Sequence, residues 1–456
     1  MLFSSGIFWI FFLIVITFIE FNFRFIRSIK FQNLLLLFSS YFFYGYWDYR
    51  FLGLIIVVSL QTYIASHLIY NYLNYKKLIL ITSIFINLSI LIYFKYANFF
   101  ASEFLHTFDL DKNFNLENII LPVGISFYIF QSFTYVLDIF SKKIEPEKDL
   151  IKYFTFVAFF PQLVAGPIER ASELLPQFKK LKRITFNNLY TGIKIIITGL
   201  FYKIFIADNL AGFVDSIFSN YINLNSGDLL LGAIGFSIQI YGDFSGYSLI
   251  AIGIAKIMDF SLMRNFNTPY FSISIQDFWR RWHISLSSFF RDYLYIPLGG
   301  SRISELITNR NLLITFIVSG LWHGANWTFI FWGLLHGSII IIQRILPISI
   351  NRFIGWIITM FLVLLLWILF RSDSINDFYN YINIMIYNPG PPNEGKLILI
   401  YATYSFLLDT VLLFYREQGK KWFNSITLET FTLAFMFIIV IGTIQDKSQN
   451  FIYFQF

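Results

Sequence analysis

Residues 2–19 read Leu2-Phe3-Ser4-Ser5-Gly6-Ile7-Phe8-Trp9-Ile10-Phe11-Phe12-Leu13-Ile14-Val15-Ile16-Thr17-Phe18-Ile19, without one charged side chain. Coiled as a helix, this run is ~27 Å long, close to the ~30 Å thickness of a bilayer's hydrocarbon core. In lipid a helix satisfies each backbone N–H and C=O within itself, so such a run is stable there as a helix. Comparable apolar runs recur as far as Val440. Composition agrees: of 456 residues 57% are hydrophobic, 21% aromatic and 13% charged, where a soluble domain carries about a quarter charged. The chain therefore reads as an all-α polytopic membrane protein with about twelve crossings. Disorder and a nucleic-acid-binding module are excluded. So is a transmembrane β-barrel, whose strands alternate apolar and polar residues over ~10-residue segments.

The first run lacks a basic segment before it and a small-residue cleavage site after it, so it reads as a retained helix. Arg24, Arg27 and Lys30 follow it directly. Basic loops stay cytoplasmic, which predicts an outward N-terminus. Alternating sides from there leaves most of the 34 Lys and Arg inside. The net charge of +7 is then a signature of topology and not of an acidic partner. With zero cysteines the chain has no disulfide, thiolate metal site or acyl-cysteine. Its five histidines are His67, His106, His283, His323 and His336.

Two stretches carry chemistry. The inner loop 262–310 contains Phe278-Trp279-Arg280-Arg281-Trp282-His283-Ile284-Ser285-Leu286-Ser287, then Phe290-Arg291-Asp292-Tyr293. At helical pitch Trp279, Trp282, Leu286, Phe289, Phe290 and Tyr293 share a ~100° sector, and Arg280, His283, Ser287 and Arg291 an adjacent ~80° sector. This predicts an amphipathic helix at the cytoplasmic surface, ended by Pro297, Gly299 and Gly300. A plain membrane anchor, with its arginines on lipid phosphates, would fit the pattern but has no need of a histidine. The second stretch is Gly320-Leu321-Trp322-His323-Gly324-Ala325-Asn326-Trp327, inside an apolar run. The helical rise from Asn311 to His323 is ~18 Å, past the middle of the membrane, where an ionisable group is costly and marks function. Gly320 and Gly324 have the spacing that lets a second backbone approach. A histidine hydrogen-bonded between helices is the competing reading. His336, in Gly333-Leu334-Leu335-His336-Gly337, is the rival residue, without the Trp and Asn neighbours.

Asp243 interrupts another apolar run, so it must line an aqueous cavity or meet a cation or several donors. Pro161–Arg170 is too broken by Pro and Gly for a clean crossing and reads as re-entrant backbone. His67 and His106 read as packing or loop residues.

Taken together, Trp279–Ser287, Phe290–Gly300 and Gly320–Gly324 resemble the membrane-bound O-acyltransferase family, in its branch of alginate and peptidoglycan O-acetylating membrane subunits. Pro161–Arg170, Asp243–Ser248 and the terminal Phe451–Phe456 are similar to that branch too. The resemblance covers most of the chain and implies one integral-membrane domain over 1–456, with its motif-bearing core at about 160–340. It implies a ring of tilted helices around a tunnel, with re-entrant and interfacial helices. His323 matches the family's catalytic histidine and His283 its polar partner. Acetyl-CoA would enter from the cytoplasm as substrate, with no resident cofactor or metal, and an exported polysaccharide would accept the acetyl group outside. An esterase-like acetyltransferase beyond the bacterial cytoplasmic membrane is the expected partner, alongside membrane lipids.

A neutral imidazole can take the proton of a hydroxyl that attacks a thioester. Arg280, Arg281 and Arg291 are candidates for the coenzyme A phosphates. Trp279, Trp282, Asp243, Trp322 and Asn326 are candidates for the tunnel wall. D-alanyl transfer to teichoic acids is the nearer rival activity, and a transporter or flippase the rival class. Transporter folds show paired halves, whereas here the polar motifs cluster in one region.

Overall fold

A computed structural model describes the chain except residues 2, 109–118, 165, 347–350, 394, 419–425, 445–451 and 453–456, and except the side chains of 106, 414–418 and 426. Lys112, Lys447, the His106 side chain and all of the 451–456 motif but Ile452 lie outside the described residues. Among those described there is no strand.

The helices are α1 (Gly6–Phe21), α2 (Ile29–Asp48), α3 (Leu52–Asn71), α4 (Lys76–Leu91), α5 (Ala97–Thr107), α6 (Ile125–Phe140), α7 (Leu150–Ala158), α8 (Phe160–Leu163), α9 (Ala171–Leu174) and α10 (Phe186–Leu200). There follow α11 (Asn209–Ser219), α12 (Ser226–Ile257), α13 (Ile275–Arg281), α14 (Ile284–Phe290) and α15 (Glu305–His323). The last are α16 (Trp327–Ile345), α17 (Arg352–Arg371), α18 (Ile375–Tyr387), α19 (Leu397–Gln418) and α20 (Ile426–Gly442). Among the described residues six helical stretches are long and apolar enough to cross a membrane: Gly6–Ile26, Ile29–Asn71, Lys76–Leu105, Phe186–Ser219, Trp327–Ile345 and Arg352–Arg371. Their outward faces carry exposed Phe, Ile and Leu, among them Phe38, Phe85 and Phe361, the surface that lipid covers.

The chain forms two compact units. The first comprises Met1–Ile196 with Ala251–Met263. Within the Pro161–Arg170 segment, 161–163 complete the short helical turn α8, and 166–169 are irregular and buried. There Glu169 is buried and accepts the Met263 N–H at 2.6 Å. Irregular backbone is tolerated at such a place because protein, not lipid, surrounds it. His67 lies in this unit with Nδ1 3.0 Å from the Tyr63 carbonyl oxygen, a local contact within α3.

The second unit, Ile197–Ile250 with Arg264–Phe456, holds both stretches singled out in the sequence. Two devices position them. The first is the α15–α16 hairpin. A Cβ on Gly320 would stand 2.1 Å from the Phe329 carbonyl oxygen, and one on Gly333 2.2 Å from that of Phe316. The helices touch backbone to backbone, as small residues allow in membranes. Gly320→Val should therefore force the pair apart at a cost of about 1–3 kcal/mol or more. Gly212→Ala, where nothing lies within 4 Å of the added carbon, should be silent. Yield of monodisperse protein and its thermal midpoint in detergent read the difference.

The second device is a break in the expected interfacial helix. Residues 278–293 do not form one amphipathic rod. α13 ends at Arg281, His283 takes a left-handed conformation (φ 41°), α14 restarts at Ile284, and Arg291–Tyr295 is a π-helical turn. Five of the six residues of the apolar sector, Trp279, Trp282, Leu286, Phe289 and Phe290, are buried, and Tyr293 is half-buried. Arg280 and Arg291 are exposed. His283, placed by helical pitch on the polar face, is instead 0% exposed. The left-handed turn, sparsely populated for residues other than glycine, swings its ring inward.

Candidate active site

α15 starts on a Ser304 cap, whose hydroxyl accepts the Ile307 N–H, and runs without interruption to His323. The next residue, Gly324, is extended, and Asn326 caps α16 by accepting the Thr328 N–H at 3.1 Å. His323 thus sits at a helix end beside a tight connection, 2% exposed. Aromatic rings pack around it, among them Trp322 (centroids 5.0 Å apart), Trp332 (5.1 Å) and Phe370 (5.4 Å). The Trp322 ring also meets His283, at 5.7 Å. One indole therefore contacts both imidazoles and brings the two sequence motifs into one site.

His283 is held from the other side. Its Nδ1 lies 3.0 Å from Asn265 Oδ1, and the Phe244 ring packs edge-on against it at 4.6 Å. Burial pushes this imidazole from its ordinary 6.5 down to about 3, because a charged ring loses its hydration there. His283 is neutral throughout the physiological range.

A cavity of about 700 Å³ lies within the second unit, and neither histidine is among the described residues of its wall. On α15 its wall runs Leu312, Thr315, Phe316 and Ser319, one helical face, and His323 is the next residue of that face, one turn beyond Ser319. Trp279 and Phe290 supply aromatic wall, while Arg344 and Arg291, whose Nε also donates to Asp292 Oδ1 at 2.7 Å, bring guanidinium groups to it. Asn311 steadies the loop beneath by donating to the carbonyl oxygens of Leu298 and Gly300, both at 3.1 Å.

The candidate residues from the sequence divide into groups. His283, His323 and Trp322 come together. Trp279 and Arg291 line the cavity, and Trp282 lies buried beneath, packed on Trp367 (4.9 Å). Arg281 is paired with Asp277 at 3.0 Å, and neither it nor Arg280 is among the described residues of the wall. Asn326 serves as a helix cap and donates to the Asp373 carbonyl oxygen (2.8 Å). Asp243 meets a cation and a donor: its Oδ1 is 2.6 Å from Lys203 Nζ, and its Oδ2 accepts the Ile452 N–H at 2.6 Å. His336 accepts the Trp279 indole N–H on Nδ1 at 3.1 Å, and so steadies the wall of the cavity.

Arg344, Thr315, Ser319 and Asn265 were missed in the sequence. Ser319 and Thr315 precede His323 by one and two turns, a spacing that could have found them. Arg344 and Asn265 had no such signal.

Residues 143–371 match the sequence profile of MBOAT, the membrane-bound O-acyltransferase family. The chain belongs to this family. The matched region runs from just after α6 to the end of α17 and contains both histidines and the cavity wall. Among its relatives is "Probable alginate O-acetylase AlgI" of Azotobacter vinelandii, 39% identical over 98% of this chain and 86% of that protein. "Peptidoglycan O-acetyltransferase" of Helicobacter pylori is 35% identical over 76% of this chain and 72% of its own. "Teichoic acid D-alanyltransferase" of Bacillus subtilis is more distant, 31% identical over 48% of this chain and 58% of its own. The chain is an O-acyltransferase of multi-pass membrane type.

Proposed function

We propose that this acyltransferase takes acetyl groups from cytoplasmic acetyl-CoA and passes them across the bacterial cytoplasmic membrane, toward O-acetylation of an exported or cell-wall polysaccharide. On this reading residues 1–456 act as one integral-membrane domain, and a separate outer acetyltransferase or esterase-like protein completes the transfer. The observation that carries it is the cavity: guanidinium groups of Arg291 and Arg344 on its wall, and a serine at its α15 end one turn from His323. This suits a thioester whose anionic nucleotide stays outside the hydrocarbon while its acyl arm reaches in. The high-coverage relatives named for O-acetylation favour acetyl over D-alanyl transfer.

In the reaction His323 takes the proton of the attacking hydroxyl as oxygen bonds to the acetyl carbon. The carbon–sulfur bond then breaks, and the departing thiolate of coenzyme A receives that proton. The enclosing Trp322, Trp332 and Phe370 rings keep bulk water from competing for the thioester. His283, neutral, supplies a hydrogen-bonding nitrogen to the reacting groups. Trp282 supports the wall from beneath. Trp279 and Trp322 shape the space between donor and histidines.

Purified protein supplied with labelled acetyl-CoA tests this. Arg291→Ala with Arg344→Ala should raise the KM for acetyl-CoA by at least about tenfold, since a hydrogen bond to a charged group contributes ~1.5–3 kcal/mol, with kcat changed far less. Arg281 is not among the described residues of the wall, and Arg281→Ala should have the smaller effect. An unchanged KM in the double variant would remove the phosphates from this wall. Absence of both transfer and thioester hydrolysis by the parent protein would refute the acetyl-CoA reading.

A further inference from the structure

We propose that Asn265 is a positioning residue that fixes the tautomer of His283, with the ring hydrogen on Nδ1 and the lone pair on Nε2. The argument starts from the amide. Asn265 is 1% exposed, and its Oδ1 lies 2.9 Å from Ser285 Oγ, 3.0 Å from His283 Nδ1 and 3.4 Å from the Ser285 backbone nitrogen. A backbone N–H can only donate, so the amide atom facing it is the oxygen. The other end of the amide agrees, because Nδ2 faces the Ser248 hydroxyl at 3.1 Å, a group able to accept. An amide oxygen has no hydrogen to give. His283 Nδ1 must therefore carry one, and a neutral imidazole has only one.

The same asparagine also holds the backbone that presents the ring. Its carbonyl oxygen accepts the Ile284 N–H at 2.8 Å, and the Asn267 N–H donates to the Arg281 carbonyl oxygen at 2.9 Å. These two bonds flank the left-handed His283, and a residue so strained persists only where its surroundings over-determine it. Side chain and main chain of Asn265 thus settle both the direction and the proton of one imidazole. The placement of the lone pair is a property of the fold. Its use, as the nitrogen that accepts a hydrogen bond from the reacting groups, rests on the acyl-transfer reading above.

Among the described residues the groups facing the ring include Phe244 from α12, Phe266 and Asn265 from the segment before α13, Ser285 from α14 and Trp322 from α15. None of these titrates near neutral pH. A carboxylate in place of the amide would bring the first negative charge among them. It would stabilise the imidazolium and raise the His283 pKa. The acid limb of the pH–rate profile should then move to higher pH in Asn265→Asp, so that activity falls at mildly acid pH where the parent enzyme still works. Asn265→Leu should lower kcat by at least about tenfold with the acetyl-CoA KM unchanged, consistent with the 10²–10⁴-fold worth of a positioned acid–base group.

The direct test needs no activity. In full-length protein labelled with 15N-histidine, the His283 resonances are identified by their loss in His283→Gln. We expect a protonated, pyrrole-type Nδ1 and a bare, pyridine-type Nε2 near neutral pH. The opposite assignment, or an even mixture of the two, overturns the proposal whatever the kinetics show. The expected tautomer in a protein that neither transfers nor hydrolyses acetyl from acetyl-CoA would leave the proposal standing and sink the functional reading. The expected tautomer in an active enzyme whose Asn265→Asp profile is unshifted would overturn the positioning role.

Discussion

His323→Gln should insert and fold like the parent protein but lose acyl transfer by roughly 10²–10⁴-fold, the worth of a general base, while the KM for acetyl-CoA should stay near its parent value. Glutamine is the informative replacement because it nearly fills the imidazole's place among Trp322, Trp332 and Phe370, whereas alanine would also open a cavity. It keeps hydrogen-bonding atoms and removes the imidazole, the group able both to take up and to release a proton. The arginines proposed to hold the donor lie on other parts of the cavity wall, so binding and turnover should separate cleanly. The measurement is steady-state kinetics on detergent-purified protein, with monodispersity and thermal midpoint as the check on folding. A variant that kept more than about a tenth of the parent turnover would deny His323 the base role. It would then be a packing residue, one of several buried rings at the end of α15.

How much of this was legible in the sequence depends on the length scale at which the signal is written. Apolar runs of membrane length are long-range and redundant, and helices arose wherever they were read. The Gly320–Leu321–Trp322–His323–Gly324 stretch was legible because glycine has one physical use there, the close approach that Gly320 makes to Phe329 and Gly333. The 278–293 segment was half legible. Its helical period sorted buried aromatic residues from exposed arginines, but a period cannot report a break. The left-handed turn at His283 is fixed by Asn265, a residue from a different segment, and nothing in the local pattern announces it. Likewise Arg344 joins Arg291 at the cavity only because α16 runs back along α15.

The Lys203 cluster was illegible for a related reason, and it supports the second large effect. Lys203 Nζ lies 2.7 Å from Asp208 Oδ1 and 2.6 Å from Asp243 Oδ1, with its side chain 1% exposed. In an α-helix residues 203 and 208 would point ~140° apart at 100° per residue. Phe201–Asp208 is instead a π-helical segment, whose i→i+5 closure brings lysine and aspartate to one face. A Cβ on Gly199 would stand only 2.7 Å from the Gly246 carbonyl oxygen, so α12 passes close enough at this level for Asp243 to reach the same ammonium. Lys203→Met should be severe. It leaves two carboxylates buried together without their cation, and breaking a buried ion pair from one side costs about 3–5 kcal/mol. We expect little folded protein, or a much lowered thermal midpoint. Neutralising the partners as well, in Lys203→Met with Asp208→Asn and Asp243→Asn, should recover much of the loss, because amides are far cheaper to bury than unpaired carboxylates. If Lys203→Met alone were as stable as the parent protein, the cluster would be solvated and its charges independent. If the triple variant were no better than the single one, the loss would come from the lysine's packing, and the electrostatic account of this crossing would fail.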